Sequence, residues 1–179
     1  MRQDVLPLNQ IQDLDSVAAS LSALLAMESN SDIRQEFPGS VGKYAGDAAG
    51  LARNLATLKD RFEEGECEDF VIFVGETAVG MSQVAKPLRA VYNVDPSSPM
   101  LSGYICNRDD GRGYRGQGLG RLSMQRRLRS VDDHFDGEAW TIVKTANIIS
   151  RGLVLSSGFV LTGHSGQADT FTYSNQRCA

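Results

Sequence analysis

The chain has 179 residues, enough for one domain with a proper core and short for two. A content of 41% hydrophobic and 22% charged residues is ordinary for a folded domain and excludes wholesale disorder. The formal net charge of -4 argues against general nucleic-acid affinity, which needs a basic field to displace counterions from phosphates.

In chain order, the first third reads as helical. Asp13 or Asp15 can cap a helix running to about Met27, with Val17, Leu21, Leu24 and Leu25 near helical spacing. The polar connection from Glu28 to Gly42 contains Phe37-Pro38-Gly39 and reads as a turn. A second helix from about Ala45 to Glu64 places Leu51, Leu55, Leu58 and Phe62 on one stripe.

The pattern then changes to strands. Asp69 to Val74 and Ala78 to Val84 flank Gly75-Glu76 and predict a hairpin. Val91 to Val94 extends that region before Asp95-Pro96-Ser97-Ser98-Pro99 breaks it, and Met100 to Cys106 is another strand. From Leu119 a helix carries Met124, Leu128, Val131 and Phe135 on one face. Ala139 to Lys144 is a short buried strand, and Ile148 to Ser156 a short helix stopped by Gly158. Phe159 to Thr162 and Thr170 to Tyr173 finish as strands joined around Ser165-Gly166-Gln167. With no internal repeat and no linker, this order predicts a single mixed-sheet α/β (α+β) domain.

Chemistry concentrates in one place. Between residues 108 and 129 stand Arg108, Arg112, Arg115, Arg121, Arg126, Arg127 and Arg129, against Asp109 and Asp110 alone, a basic island on an acidic protein. Arg126, Arg127 and Arg129 fit either a solvated helix face or an anion site; the glycines beside Arg115 and Arg121 favour the anion site there. Gly111 to Gly120 holds five glycines in ten residues, between a predicted strand and a predicted helix. Glycine permits positive φ and lets a ligand approach the main chain. The first N–H groups of the following helix lack intrahelical partners and sit at the positive end of its dipole, so phosphate is the expected guest.

The run Gly111-Arg112-Gly113-Tyr114-Arg115-Gly116 matches G-x-G-x-x-G literally, but the context is wrong for a dinucleotide fingerprint. It lies two-thirds along the chain, after a hairpin, and the next strand ends in Lys144 instead of an acid. No Gly-Lys-Ser/Thr follows to make a Walker motif. Four residues later the loop gives Arg115-x-x-Gly118-x-Gly120. This resembles the (Gln/Arg)-x-x-Gly-x-(Gly/Ala) signature of the GNAT superfamily, the Gcn5-related N-acetyltransferases. Asn147 followed by Gly158-Phe159 resembles that family's Asn-(x)10-Gly-Phe block. The likeness spans roughly Asp69 to Tyr173, and the leading helices agree in type only.

The resemblance implies a GNAT-like, mostly antiparallel central sheet flanked by helices, with splayed central strands. It implies one acyl-CoA N-acyltransferase domain over 1–179, with a helical acceptor-side region at 1–66 and the sheet and coenzyme core at 69–175. Acetyl-CoA would be the co-substrate, and no metal is called for. Gly116, Gln117, Gly118, Leu119 and Gly120 would offer main-chain N–H groups to the coenzyme pyrophosphate, with charge from Arg115 or Arg121. The strand ending at Ile105 and Cys106 would splay from the strand at Thr141 to Lys144, leaving a cleft for the pantetheine arm. One strand N–H would polarise the thioester carbonyl. Asn147 would contact the arm while also serving as a helix N-cap, and Ser150 joins it in the cofactor set.

Many family members carry a tyrosine seven residues after this asparagine to protonate the leaving thiolate; here Val154 stands in that place. Tyr104, Ser156 or Tyr173 is then the substitute donor, so Tyr104, Asn147 and Ser156 are the candidate catalytic residues. No general base is evident, and His134 and His164 read as exposed and idle. Asp109 and Asp110 fit pairing with Arg108 and Arg112 better than attraction of a cationic amine. The acceptor class is a primary amine, on a small molecule or on a protein, and a homodimer is compatible with the pattern. Two alternatives stand beside the enzyme: a coenzyme A-binding regulatory module without turnover, motivated by Val154, and a nucleic-acid module using the arginines, opposed by the acidic total.

Cys67, Cys106 and Cys178 show no C-x-x-C spacing, and with two histidines they make neither a zinc site nor a disulfide framework. Cys106 has no histidine near in sequence to activate it and reads as a buried small residue. The sequence starts without an apolar signal core and has no stretch of membrane-spanning length, which predicts no membrane partner and a cytoplasmic setting.

Overall fold

The computed structural model describes residues 1–27, 38–63, 65, 67–86, 98–106, 113–114, 116–135 and 138–174. Four α-helices and seven strands follow one another along these residues: β1 (Gln3–Pro7), α1 (Leu14–Ala26), α2 (Ala48–Glu63), β2 (Cys67–Val74), β3 (Thr77–Ala85), β4 (Met100–Ile105), α3 (Leu119–His134), β5 (Glu138–Lys144), α4 (Ile148–Ser156), β6 (Val160–Ser165) and β7 (Ala168–Ser174). The strands hydrogen-bond in the order β1-β2-β3-β4-β5-β7-β6, a mixed and mostly antiparallel sheet. No helix is long and apolar enough to cross a membrane among the described residues.

The chain resolves into two compact units, Met1–Gln83 with Gly103–Ser123, and Val84–Ser102 with Met124–Ala179. β3, β4 and α3 each contribute to both units. Residues 3–7 are a strand, which helical reading of the first third did not anticipate, and it pairs antiparallel with β2 from Gln3↔Val74 to Pro7↔Phe70. Five residues are too few to show a period, yet Val5 is fully buried while Gln3 is exposed. Pro7 then ends the strand, and a 3-10 turn follows at Leu8–Gln10.

In the first unit, Asp13 caps α1 by accepting from the Ser16 N–H at 2.9 Å, and Asp15 lies in the first turn. The helix buries Val17, Leu21, Leu24 and Leu25 and packs on α2, which buries Leu51, Leu55 and Leu58. The second helix starts three residues later than its apolar stripe suggests. Gly46 takes φ 78° and Asp47 accepts from the Gly50 N–H at 2.8 Å, so the cap fixes the start. β2 and β3 form the expected hairpin around Gly75, at φ 64°.

In the second unit, β5 pairs with β7 along its whole length, from Glu138↔Ser174 to Lys144↔Ala168. β6 pairs with β7 through an irregularity between Leu161 and Gly163. Trp140, Phe171, Val131, Met124 and Phe159 form the core there, and the two large rings alone contribute about 2–3 kcal/mol each by burial. Phe135, read as part of the helical run, falls just past the end of α3 yet is buried. The predicted strand Val91–Val94 and most of the Glu28–Gly42 turn lie outside the described residues, as do Arg108, Asp109, Asp110, Arg112, Arg115 and Cys178.

Candidate functional site

In the first unit, β3 and β4 run close enough that only glycine fits at position 80. A Cβ there would stand 2.4 Å from the Tyr104 carbonyl oxygen. Tyr104 and Ile105 are half-buried at the end of β4, and Cys106 is fully buried, as its composition argument required. The Cys106 N–H donates to the Val79 carbonyl at 2.8 Å. That amide is therefore committed to the sheet.

The glycine loop follows. Gly116 and Gly118 take φ 79° and 85°, and a Cβ on either would meet nothing within 4 Å, so open space lies above both. An L-residue at either position would be strained whatever the space. Gln117 is exposed and its position is tied down twice: its carbonyl accepts from Gln3 Nε2 at 3.0 Å, and its own Nε2 donates to the Gly113 carbonyl at 3.3 Å. Gly118 supplies the carbonyl for the first helical bond, from the Leu122 N–H at 3.1 Å. α3 thus starts on a residue that has no side chain with which to cap it. Its first turn contains no acidic residue, and Arg121 there is exposed. Leu119 is buried and roots the turn, while Ser123 bonds the Ser82 hydroxyl at 2.8 Å in the interior. A helix start of this kind, on a residue without a side chain and with clear space above it, is suited to an anion.

In the second unit, β4 and β5 run parallel with one register pair, Met100↔Trp140. Trp140 donates its main-chain N–H to the Pro99 carbonyl and its indole N–H to the Ser98 carbonyl, each at 3.0 Å. The next two β4 carbonyls are taken by side chains. Leu101 accepts from the Thr141 hydroxyl at 2.7 Å, and Ser102 from Arg127 Nη1 at 3.0 Å. Arg127 is no solvated surface arginine: it is 6% exposed, and burial pushes its guanidinium down to about 10. Arg126 is half-buried and Arg129 exposed, so the helix-face reading holds for the last of the three alone.

Asn147 caps α4 by accepting from the Ser150 N–H at 3.1 Å, while its side chain stays exposed. Val154, where a tyrosine acid was sought, is the one buried residue of α4, so the position is given to packing. The Ser156 hydroxyl donates back to the Leu153 carbonyl at 2.9 Å. With its proton bonded inside the helix, Ser156 is a poor substitute acid. Tyr173 packs its ring on Phe159 with centroids 5.4 Å apart.

Three features escaped the sequence reading. His164 is not idle: its Nδ1 lies 2.7 Å from the buried Asp169 carboxylate, which also pairs with Arg151 of α4. Asp69, nearly fully buried, accepts from Gln83 Nε2 at 2.9 Å and lies 3.5 Å from Cys67 Sγ. Burial pushes Asp69 up to about 6, against the pull of those two bonds and of the Arg61 charge. The third is Thr141. Each depends on sheet register or helix docking, of which local patterns carry no trace. Among the described residues, no group of three or more His, Cys, Asp or Glu is placed to hold a metal ion.

No protein-family model and no curated protein matches the sequence. Solved structures do match the fold. Ribosomal-protein-S5-alanine acetyltransferase from Vibrio fischeri aligns with a TM-score of 0.69 at 13% identity, over 98% of this chain and 94% of that one. The acetyltransferase of GNAT family from Streptococcus pneumoniae gives 0.66 at 14% identity, over 97% and 100%. PaiA N-acetyltransferase from Thermoplasma acidophilum, in complex with coenzyme A, gives 0.63 at 13% identity, over 98% and 100%. With its strand order, its single β4–β5 register pair and its glycine-led α3, the chain has the fold of the GNAT-family acetyltransferases.

Proposed function

We propose that the chain transfers an acetyl group from acetyl-CoA to a primary amine, on a small molecule or a protein, within a ternary complex. The observation that carries this is the start of α3. Gly118 brings no capping side chain to its first amides, the two positive-φ glycines open the space above them, and its first turn carries no acidic residue. In this reading the main-chain N–H groups of Gly116, Gln117, Gly118, Leu119 and Gly120 hold the coenzyme pyrophosphate, and Arg115 and Arg121 add charge. The residues fit a diphosphate better than a carboxylate, because several donors converge on one exposed turn.

Asn147 and Ser150 serve the pantetheine arm. The asparagine's Oδ1 is committed to the cap, so its Nδ2 is the group that donates to an amide carbonyl of the arm. Ile105 and Cys106 supply strand backbone, the oxyanion falling to an amide other than that of Cys106. The reaction itself asks little more of the protein. A neutral amine attacks the thioester carbon, the C–N bond forms, the C–S bond breaks, and the nitrogen's proton passes to water. Alignment supplies most of the acceleration. Tyr104 is the donor proposed for the departing thiolate, a step that general acid catalysis typically speeds ~10²–10⁴-fold.

The buried Val154 favours a second reading, in which the coenzyme seat persists without turnover. Release of free thiol from acetyl-CoA, measured against a panel of primary amines, separates them. Amine-dependent thiol release supports the transferase. A melting-temperature rise with coenzyme A but no thiol release supports the binding module.

A further inference from the structure

Within the second unit, the parallel pairing of β4 and β5 stops after one register pair, and a buried side chain stands at the stopping point. In a parallel ladder the bonds are evenly spaced, so the Trp140 N–H on the Pro99 carbonyl should be followed by the Ile142 N–H on the Leu101 carbonyl. Instead the register pairs Met100 with Trp140 alone, and the Leu101 carbonyl takes the Thr141 hydroxyl at 2.7 Å, the usual length of a well-formed O–H···O bond. Leu101 and Thr141 are both buried, at 1% and 6% exposure, so water does not compete for that oxygen. The following carbonyl, Ser102, is also held by a side chain, Arg127.

We propose that Thr141 is a positioning residue: its hydroxyl takes the acceptor that the next ladder bond would use, and so fixes the point at which β5 leaves β4. The role rests on the acetyl-transfer reading for its purpose, since parted strands are what a pantetheine arm requires. It does not rest on that reading for its physics. A buried carbonyl that loses its donor must find another. The nearest main-chain donor in register is the Ile142 N–H, so without the hydroxyl the ladder advances by one bond. Threonine suits the task because its branched β-carbon is at home in a strand and its hydroxyl reaches a neighbouring main chain.

The test compares wild type, Thr141→Val and Thr141→Ser. Amide hydrogen exchange at Ile142 is followed by NMR without ligand, and coenzyme A affinity by calorimetry. Thr141→Val should slow Ile142 exchange at least tenfold and weaken coenzyme A at least tenfold, and Thr141→Ser should restore both. Unchanged Ile142 exchange in folded Thr141→Val overturns the proposal. Should that variant fail to fold, Thr141→Cys, which keeps an atom in the hydroxyl's place but donates weakly, is read the same way. If wild type binds no coenzyme A, the acetyl-transfer reading fails, while the exchange comparison still decides the role of Thr141.

Discussion

Two helix starts in the first unit have been given opposite treatments. α1 begins on Asp13, whose carboxylate accepts from the Ser16 N–H at 2.9 Å, with Asp15 beside it to answer the dipole. α3 begins on Gly118, which has no side chain, and its first turn carries Arg121 and no acid. The second arrangement forgoes a cap worth about 1 kcal/mol. It also places a positive residue at the positive end of a dipole, where repulsion costs a few tenths of a kcal/mol or more. A helix end left in this condition is stable when something anionic completes it. In the second unit, the cap of α4 is an intermediate case, since Asn147 satisfies one amide with Oδ1 and keeps its Nδ2 for another partner.

Substitutions can break that contrast, and the largest effect belongs to the uncapped end. Gly118→Val strains a φ of 85° and fills the open space, and should raise the coenzyme A dissociation constant about a hundredfold, ~2.7 kcal/mol, by calorimetry.

Asp69 provides a control inside the same unit but away from both helix starts. Its carboxyl binds a proton more tightly folded than unfolded, so it erodes stability as pH climbs from about 4 to about 6, and the loss persists above that range. Asp69→Asn should therefore stabilise the protein by roughly 2–3 kcal/mol at pH 8 and by little at pH 4. Urea melts at the two pH values check this, and coenzyme A affinity should not move.

Asn147→Ala should do two things at once. Stability should fall by about 1 kcal/mol, as for any lost cap. Coenzyme A should also bind about tenfold more weakly, ~1.4 kcal/mol, as one amide contact is lost. Asp13→Ala is the smallest and sharpens the contrast most: about 1 kcal/mol in stability by urea melts and no change in coenzyme A affinity.

Much of this was legible in the sequence, and what was hidden has a common cause. Apolar period and capping residues placed α1, α4 and the β2–β3 hairpin within a few residues, because those elements are specified by neighbours along the chain. The glycine loop was legible for the same reason: Gly116 and Gly118 announce positive φ, and the following helix announces free amides. β1 escaped because five residues ending in proline show no period, and its partner β2 lies some seventy residues away. Arg127 stayed open in the sequence between a wet helix face and an anion site, because charge normally stays wet or meets an anion, yet the Ser102 carbonyl draws it in. Ser156 read as a candidate acid because nothing in a sequence shows a hydroxyl bonding back into its own helix. Thr141, Asp69 and the Asp169–His164–Arg151 group depend on sheet register and helix docking, which exist only once the chain has folded.

The central claim is that the N-terminus of α3 seats a diphosphate. Thermal unfolding with and without acetyl-CoA tests it most directly, on wild type beside Gly118→Val. Ligand at about a hundred times its dissociation constant should stabilise wild type by ~2.7 kcal/mol. Gly118→Val should show little of that gain at the same concentration. Wild-type protein whose melting does not move at millimolar acetyl-CoA, or a Gly118→Val protein that gains as much as wild type, would contradict the account.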